Sequence, residues 1–257
     1  MKKIALLMSC LFITGFLQAL TVVSTAGGLS SAITAAGGTL DTITNLTVTG
    51  TIDARDFLLM KTNMPVLTEI DLSEATIDAY TGTEGTNGTK SYVYNKDEIP
   101  AYAFYGESDL IAITIPSSAN KIGYGAFGEC TSLKTITFSS LVFAIGGYAF
   151  YGCTALTTIT LPSPLKTIGT NGFAKCSGLT SINIPPSITY IGTETFSGCS
   201  GLTSIYAYST TPVDLSSAID AFDNVNVNIC TLYVPKGTID LYKAEFKWKD
   251  FILMEEM

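Results

Sequence analysis

Acids and thiols are the residues here best able to do chemistry, because the 257-residue chain contains no histidine. Without imidazole the commonest general base and triad partner is missing, and a metal site of imidazoles is excluded. Two close carboxylate pairs, Asp53 with Asp56 and Glu69 with Asp71, offer acid/base chemistry in principle. A glycoside hydrolase would need facing carboxyls about 5–9.5 Å apart, and solvated surface charge accounts for both pairs more simply. The stretch 220–228 holds acidic and amide oxygens but lacks the spacing of an EF-hand loop. A literal G-x-G-x-x-G occurs at Gly123, Gly125 and Gly128. A dinucleotide fingerprint also needs a strand before it, a long helix after it and an acid about 20 residues on. The same columns instead read GGYAFY and GTNGFA further along the chain. No catalytic residue, cofactor or metal is therefore expected.

The thiols are more orderly. Cys130, Cys153, Cys176 and Cys199 fall at one constant interval, each three residues after Phe127, Phe150, Phe173 or Phe196, and Phe104 begins the phenylalanine series. Ligands in single file do not converge on a tetrahedral metal. Two readings stay open: a column of reduced, buried thiols behaving as small apolar groups, or disulfides between adjacent coils. Cys230 is a fifth thiol beyond the leader, and five cannot all pair.

A period of about 23 residues lies within the range of about 20–50 residues that marks a solenoid, and the columns show what one coil contains. Leucine recurs at 110, 133, 156, 179 and 202, and isoleucine at 113, 136, 159, 182 and 205. An outward residue and a large apolar one follow, at Ile115, Phe138, Leu161 and Ile184, which is the alternation of a short strand. Proline closes that strand at 116, 162 and 185, with Ser139 as the exception. A second apolar column, Ile122, Ile145, Ile168 and Ile191, is followed each time by glycine, which points to a sharp bend or a close backbone approach. Weaker copies at Ile43/Leu46/Val48, Leu67/Ile70/Leu72 and Ile229/Leu232/Val234 bring the expected rungs to eight. A lone coil buries too little to hold its backbone, so stability belongs to the stack and its capped ends.

The expected organisation is a leader at 1–19, an N-terminal cap and first coil at 20–66, the solenoid at 67–209 with an insertion at about 78–98, and a last coil with C-terminal cap at 210–257. Lys2 and Lys3 before the apolar run Ile4–Leu17 read as a secretory signal peptide with Ala19 at its cleavage edge. Lipid attachment at Cys10 is the lesser alternative. The insertion, rich in Gly, Thr and Asn, reads as a surface loop, either a site or merely tolerated. A helix near 29–36 should cap one end. A helix over 238–251, with Leu241, Tyr242, Phe246, Trp248 and Phe251, should seal the other. Beyond the leader 12 basic residues face 22 acidic ones, which disfavours nucleic acid and anionic membrane as partners. No later stretch is apolar for long enough to span a bilayer.

The unit AFYGCTALTTITLPSPLKTIG from Ala149, with AFGECTSLKTITF and CSGLTSINIPPSITYIG, closely resembles the BspA-like leucine-rich repeats of secreted and surface bacterial proteins. The match runs from about Ile99 to Ala207. CTLYVPKGTIDLYKAEFKWKDF resembles a closing segment seen with such repeats, and TNLTVTGTIDARDF their N-terminal cap. Two departures stand out: Glu107 replaces the repeat's cysteine, marking an edge by the insertion, and Thr195 replaces the alanine before a phenylalanine. The resemblance implies a leucine-rich-repeat solenoid of right-handed coils with short parallel strands and little helix outside the caps. It further implies a secreted or cell-surface, non-enzymatic module for adhesion or recognition of a protein partner, with no catalytic residues to transfer. A glycan-binding accessory role in polysaccharide capture is the alternative.

Binding through the strands would use their outward columns. Beside Ala112 these are Thr135, Thr158, Ser181 and Ser204, and in the next column Thr114, Thr137, Thr160, Asn183 and Tyr206. At about 4.8 Å per strand, eight rungs would present a flat array of about 35 Å, although threonine also suits exposed strands for intrinsic reasons.

Overall fold

In the computed structural model, which describes residues 18–257, each repeat makes one turn of a three-sided stack. Leu-x-x-Ile-x-Ile forms one side because β-branched residues alternating with short polar ones suit a strand with one buried face. The strands Gln18–Ser24, Ile43–Ile52, Glu69–Asp71, Ala112–Thr114 and Thr135–Thr137 pair in that order, all parallel, and Ala75–Ile77 adds to Ile43–Ile52. Thr158–Ile159, Ser181–Ile184, Ser204–Ala207, Thr231–Val234 and Leu253–Glu256 continue the same side as a second parallel sheet. Registers step by the repeat length, with Ile136 opposite Ile113 and Ile182 between Ile159 and Ile205.

This side differs from the expected array in two ways. It has ten rungs rather than eight, because Gln18–Ser24 and Leu253–Glu256 add one at each end. Its ladder also breaks between Thr135–Thr137 and Thr158–Ile159, so the array is not continuous. The seam lies beside Phe138, the bulkiest residue of its column, whose ring sits edge-on to Phe150 at 5.9 Å and 80°. Ile136 and Phe138 are only half-buried, whereas their counterparts Ile113, Ile115, Ile159 and Leu161 are buried.

The second side is a narrow parallel sheet of Glu98–Ile99, Lys121–Ile122, Ala144–Ile145, Thr167–Ile168 and Tyr190–Ile191. The glycines after these isoleucines serve close approach. A Cβ on Gly169 would run into the amide nitrogen of Gly147, and one on Gly192 into that of Thr170. The third side carries the phenylalanines and is a series of turns joined from coil to coil. Phe104 N–H donates to Ala126 O at 2.7 Å, Phe127 to Ala149 at 2.8 Å and Phe150 to Gly172 at 2.8 Å. Left-handed backbone recurs two residues before the phenylalanine, at Tyr102 (φ 59°), Gly125 (60°), Tyr148 (57°), Asn171 (56°) and Glu194 (56°).

Between the sides runs a column of stacked rings. Phe104, Phe127, Phe150, Phe173 and Phe196 lie 5.1–5.8 Å apart within 13° of parallel, and Phe222 extends the stack by 5.6 Å. Leu133 and Leu156, one period apart, are both fully buried in the same core. Each thiol bonds to the coil before it. Cys130, Cys153, Cys176 and Cys199 donate to the carbonyls of Phe104, Phe127, Phe150 and Phe173 at 3.0–3.1 Å. All five described cysteines are free and buried. Thr195 is buried too, its hydroxyl donating to Gly192 O at 2.7 Å.

The ends correct several expectations. The helix Leu29–Ala35 lies where a helix was expected, and a second, Ala54–Asn63, closes the column with Phe57 edge-on to Phe104 at 5.8 Å. Its last turn carries Lys61, whose ammonium donates to Tyr102 O at 3.1 Å and faces Glu107. Glu107 is only partly buried, as expected at an edge, and its charged partner comes from this helix. At the other end the helix stops at Ala244, where Glu245 turns extended (φ −89°, ψ 143°), and Lys247 turns left-handed (φ 67°) before the 3-10 turn Trp248–Asp250 and the final strand. Leu241 and Phe246 are exposed, while Tyr242, Trp248 and Phe251 are buried. Trp248 packs on Phe222 at 5.3 Å and donates its Nε1–H to Val213 O at 2.8 Å. At the rung Thr231–Val234 the expected inward Ile229 is exposed, and Cys230 is buried. The insertion is an antiparallel hairpin, Tyr80–Gly82 with Tyr92–Tyr94, rather than an irregular loop. Of the leader, residues 1–17 lie outside the described residues, and Gln18 and Ala19 already belong to the first strand.

Candidate binding face

Apart from Thr160, which follows the strand Thr158–Ile159, the named residues of the outward columns lie on strands and alternate with buried ones. Thr135, Thr137, Thr158, Thr160 and Asn183 are exposed, and Thr114, Ser181, Ser204 and Tyr206 are partly so. The ladder places Thr135 beside Ala112 and Thr137 beside Thr114 in the first sheet. In the second it aligns Thr158, Ser181 and Ser204, and sets Asn183 beside Tyr206. The seam separates Thr135 and Thr137 from Thr158 and Thr160, so the named residues form two groups. A cleft of about 400 Å³ follows the seam, with Phe138 and Ile136 among its lining and Thr137 and Thr160 on either side.

Both columns extend beyond the residues expected from sequence. At the N-terminal end Asn45 and Glu69 continue the first and Asp71 the second, around a groove of about 260 Å³ that reaches Thr137. Glu69 accepts from Asn45 Nδ2 at 2.5 Å, and Asp71 accepts from the Ser73 amide at 2.9 Å. At the other end Tyr233 stacks on Tyr206 with centroids 4.6 Å apart and planes within 8°. Leu253 and Glu255 follow on the last strand. The face therefore passes from acidic through hydroxyl to aromatic, with the acid Glu255 beyond the aromatic pair. The register of Ile70 with Ile113 already implied that Glu69 and Asp71 point outward. Tyr233 falls off the period set by Tyr206, and only the alternation around Leu232 signals it.

The other acidic pair does different work. Asp53 and Asp56 are buried, not solvated, and form a reciprocal capping box at the helix Ala54–Asn63. Asp56 also accepts from the amides of Gly27 and Leu29, at 2.7 and 2.9 Å, tying the two helices together. Burial pushes its carboxyl above the usual carboxylate range in spite of these donors. Arg55 pairs with Asp53 at 2.6 Å and lies 4.8 Å over the ring of Tyr80 in the hairpin. Both acids are thus committed to structure. Among the described residues no three His, Cys, Asp or Glu side chains converge as a metal site, and no helix is long and apolar enough to cross a membrane.

A family model for the BspA-type leucine-rich-repeat region matches residues 97–228 in six copies. The chain belongs to the BspA-type leucine-rich-repeat family. Solved structures similar to it include the leucine-rich-repeat protein of T. pallidum, 34% identical over 43% of this chain and 51% of that one, with a TM-score of 0.42. A leucine-rich-repeat protein from Bacteroides ovatus is 23% identical over 66% and 52% of the two chains, with a TM-score of 0.43. The pneumococcal vaccine antigen PcpA is 16% identical over 83% and 57%, with a TM-score of 0.47. The chain thus spans 51–57% of the length of these proteins. No curated protein matches it. The BspA-type repeat accounts for the solenoid of short parallel strands with few helices.

Proposed function

We propose that this BspA-type chain is a non-enzymatic, exported recognition or adhesion module that binds a protein partner through its strand side. The observation that carries the reading is the outward strand face, which passes from Glu69 and Asp71 through hydroxyls to the stacked pair Tyr206 and Tyr233 beside exposed Asn183. Paired aromatics on rigid strands offer large contact area at low entropic cost, which suits the centre of a protein interface. Leader-directed export to the surface or medium agrees with the family resemblance, and the acidic balance favours neither nucleic acid nor anionic lipid.

The test is binding of the chain to an extracellular protein mixture, followed by cross-linking and mass spectrometry to locate contacts. Cross-links should map to the outward columns. Replacing Asn183 and Tyr206 together by alanine should weaken capture about tenfold, as expected when an interface aromatic is truncated. Undiminished capture by that double variant would refute the strand side as the site.

A further inference from the structure

The turn side carries a second surface, which shares no residue with the strand-side columns. Tyr105, Tyr102, Tyr124, Tyr148 and Tyr151 form an unbroken chain of ring contacts, with centroids 5.8, 5.4, 5.4 and 5.4 Å apart. Tyr105 and Tyr124 are exposed, and the others are half-buried. Glycines in neighbouring positions make room for them. A Cβ on Gly128 would lie 2.8 Å from the ring of Tyr105, and one on Gly125 3.0 Å from that of Tyr102. The G-x-G-x-x-G string is therefore the bed on which two tyrosines lie.

The tyrosines are also held against backbone preference. Tyr102 and Tyr148 have left-handed backbone, which is disfavoured for any residue with a Cβ, while Gly125 fills the same column freely. The conformation belongs to the repeat's turn, since Asn171 and Glu194 share it, and the two tyrosines occupy the column at a cost in strain.

Through its middle ring, Tyr124, the strip borders a cavity of about 150 Å³ between the hairpin and the end of the second side, walled also by Tyr92 and Tyr94. Its polar groups are Asn95, Glu98 and Lys121. Glu98 pairs with Lys121 at 2.9 Å and accepts from Asn95 Nδ2 at 2.9 Å, so the charges on that wall compensate each other. Aromatic walls with a few fixed polar groups are the usual makeup of a small-ligand site.

We propose that this strip and the adjoining cavity bind a neutral polysaccharide, with pyranose rings stacked on the tyrosines and hydroxyls bonded to Asn95, Glu98 and Lys121. A sugar presents C–H groups on its ring faces and hydroxyls at its rim, which matches phenol rings edged by an amide and a compensated ion pair. A polypeptide fits less well. Aliphatic groups enter the site only at the cavity, as Val93, Pro100 and Ala101, and the backbone beneath the rings is already bonded between coils, Tyr102 N–H to Tyr124 O at 2.8 Å and Gly125 N–H to Gly147 O at 2.9 Å. An extended segment would therefore find those backbone groups beneath the rings already taken.

Calorimetric titration of the whole chain with cello-, malto-, xylo- and mannohexaose tests the proposal and separates the sugar types. At least one should bind saturably. Tyr124→Ala, at an exposed site, should weaken it about tenfold. Tyr148→Gly should weaken it similarly while leaving the melting temperature unchanged or raised, because the strain is relieved. The Asn183 and Tyr206 double variant should bind sugar as before, which keeps this result independent of the strand-side reading. Absence of binding to all four sugars would overturn the proposal, as would affinity that survives Tyr124→Ala, or cross-linked protein in place of sugar on the tyrosines.

Discussion

Cys153 shows what a repeat residue is held to. Its side chain fills a fully buried site, and its S–H satisfies the carbonyl of Phe127 in the coil before. Cys153→Ala should cost about 1–2 kcal/mol, since it removes one of the two hydrogen bonds to Phe127 O and leaves a small void, and a urea titration measures this. Cys153→Ser keeps a donor and should cost less than the alanine. Burial pushes Cys130 up to about 12 and Cys230 up to about 11, both above the ordinary thiol value. For a group whose native value is raised, stability is complete below the unfolded value and falls as pH rises towards the native one. The urea midpoint should therefore hold steady up to about pH 8.5 and decline between about pH 9 and 12. Replacing both cysteines by serine should flatten that decline, and an unchanged slope would refute the assignment. Capping at Asp56 was not legible, because two acids three residues apart look the same on a surface as in a capping box. Only the amides of Gly27 and Leu29 distinguish them, and these come from a distant part of the chain.

At the level of elements, the strands were readable because apolar residues repeat in fixed columns, and a one-residue slip would turn a whole strand inside out. The C-terminal cap was not. Leu241, Tyr242 and Phe246 fall at helical spacings, yet Lys247 adopts left-handed backbone, and the chain then gains more by pairing Leu253–Glu256 with Thr231–Val234 than by continuing the helix. Ending the chain at Phe246 would remove both that strand and the indole from Phe222. Such a truncation should lower the thermal midpoint by more than about 10 °C, since losing one large core aromatic already costs about 3–5 kcal/mol. The hairpin is a different case. It meets the helix Ala54–Asn63 through Arg55 on Tyr80, and the first coil through the Thr86 hydroxyl on Ala101 O. Replacing residues 81–93 by a short glycine linker should leave the circular dichroism of the solenoid intact while removing sugar binding at the cavity.

For the molecule as a whole, the repeat period was legible but the seam was not, since Phe138 follows the apolar pattern and disturbs it only through size. Phe138→Ile should therefore restore pairing between the flanking strands. Slower amide exchange at 158–160 would report that change, and unaltered exchange would place the cause elsewhere. Length and surface obey different rules in this solenoid. The interior repeats every coil, so inserting or excising one whole coil preserves every register. The phenol rings and their glycine beds alternate, Tyr102 and Tyr105, then Gly125 and Gly128, then Tyr148 and Tyr151. Excising the middle coil would bring Tyr102 against Tyr148 with no gap to receive either ring, whereas inserting two further coils, one of each kind, would keep the order of large and small. The hydrophobic interior counts its turns singly, and the tyrosine surface counts them in pairs.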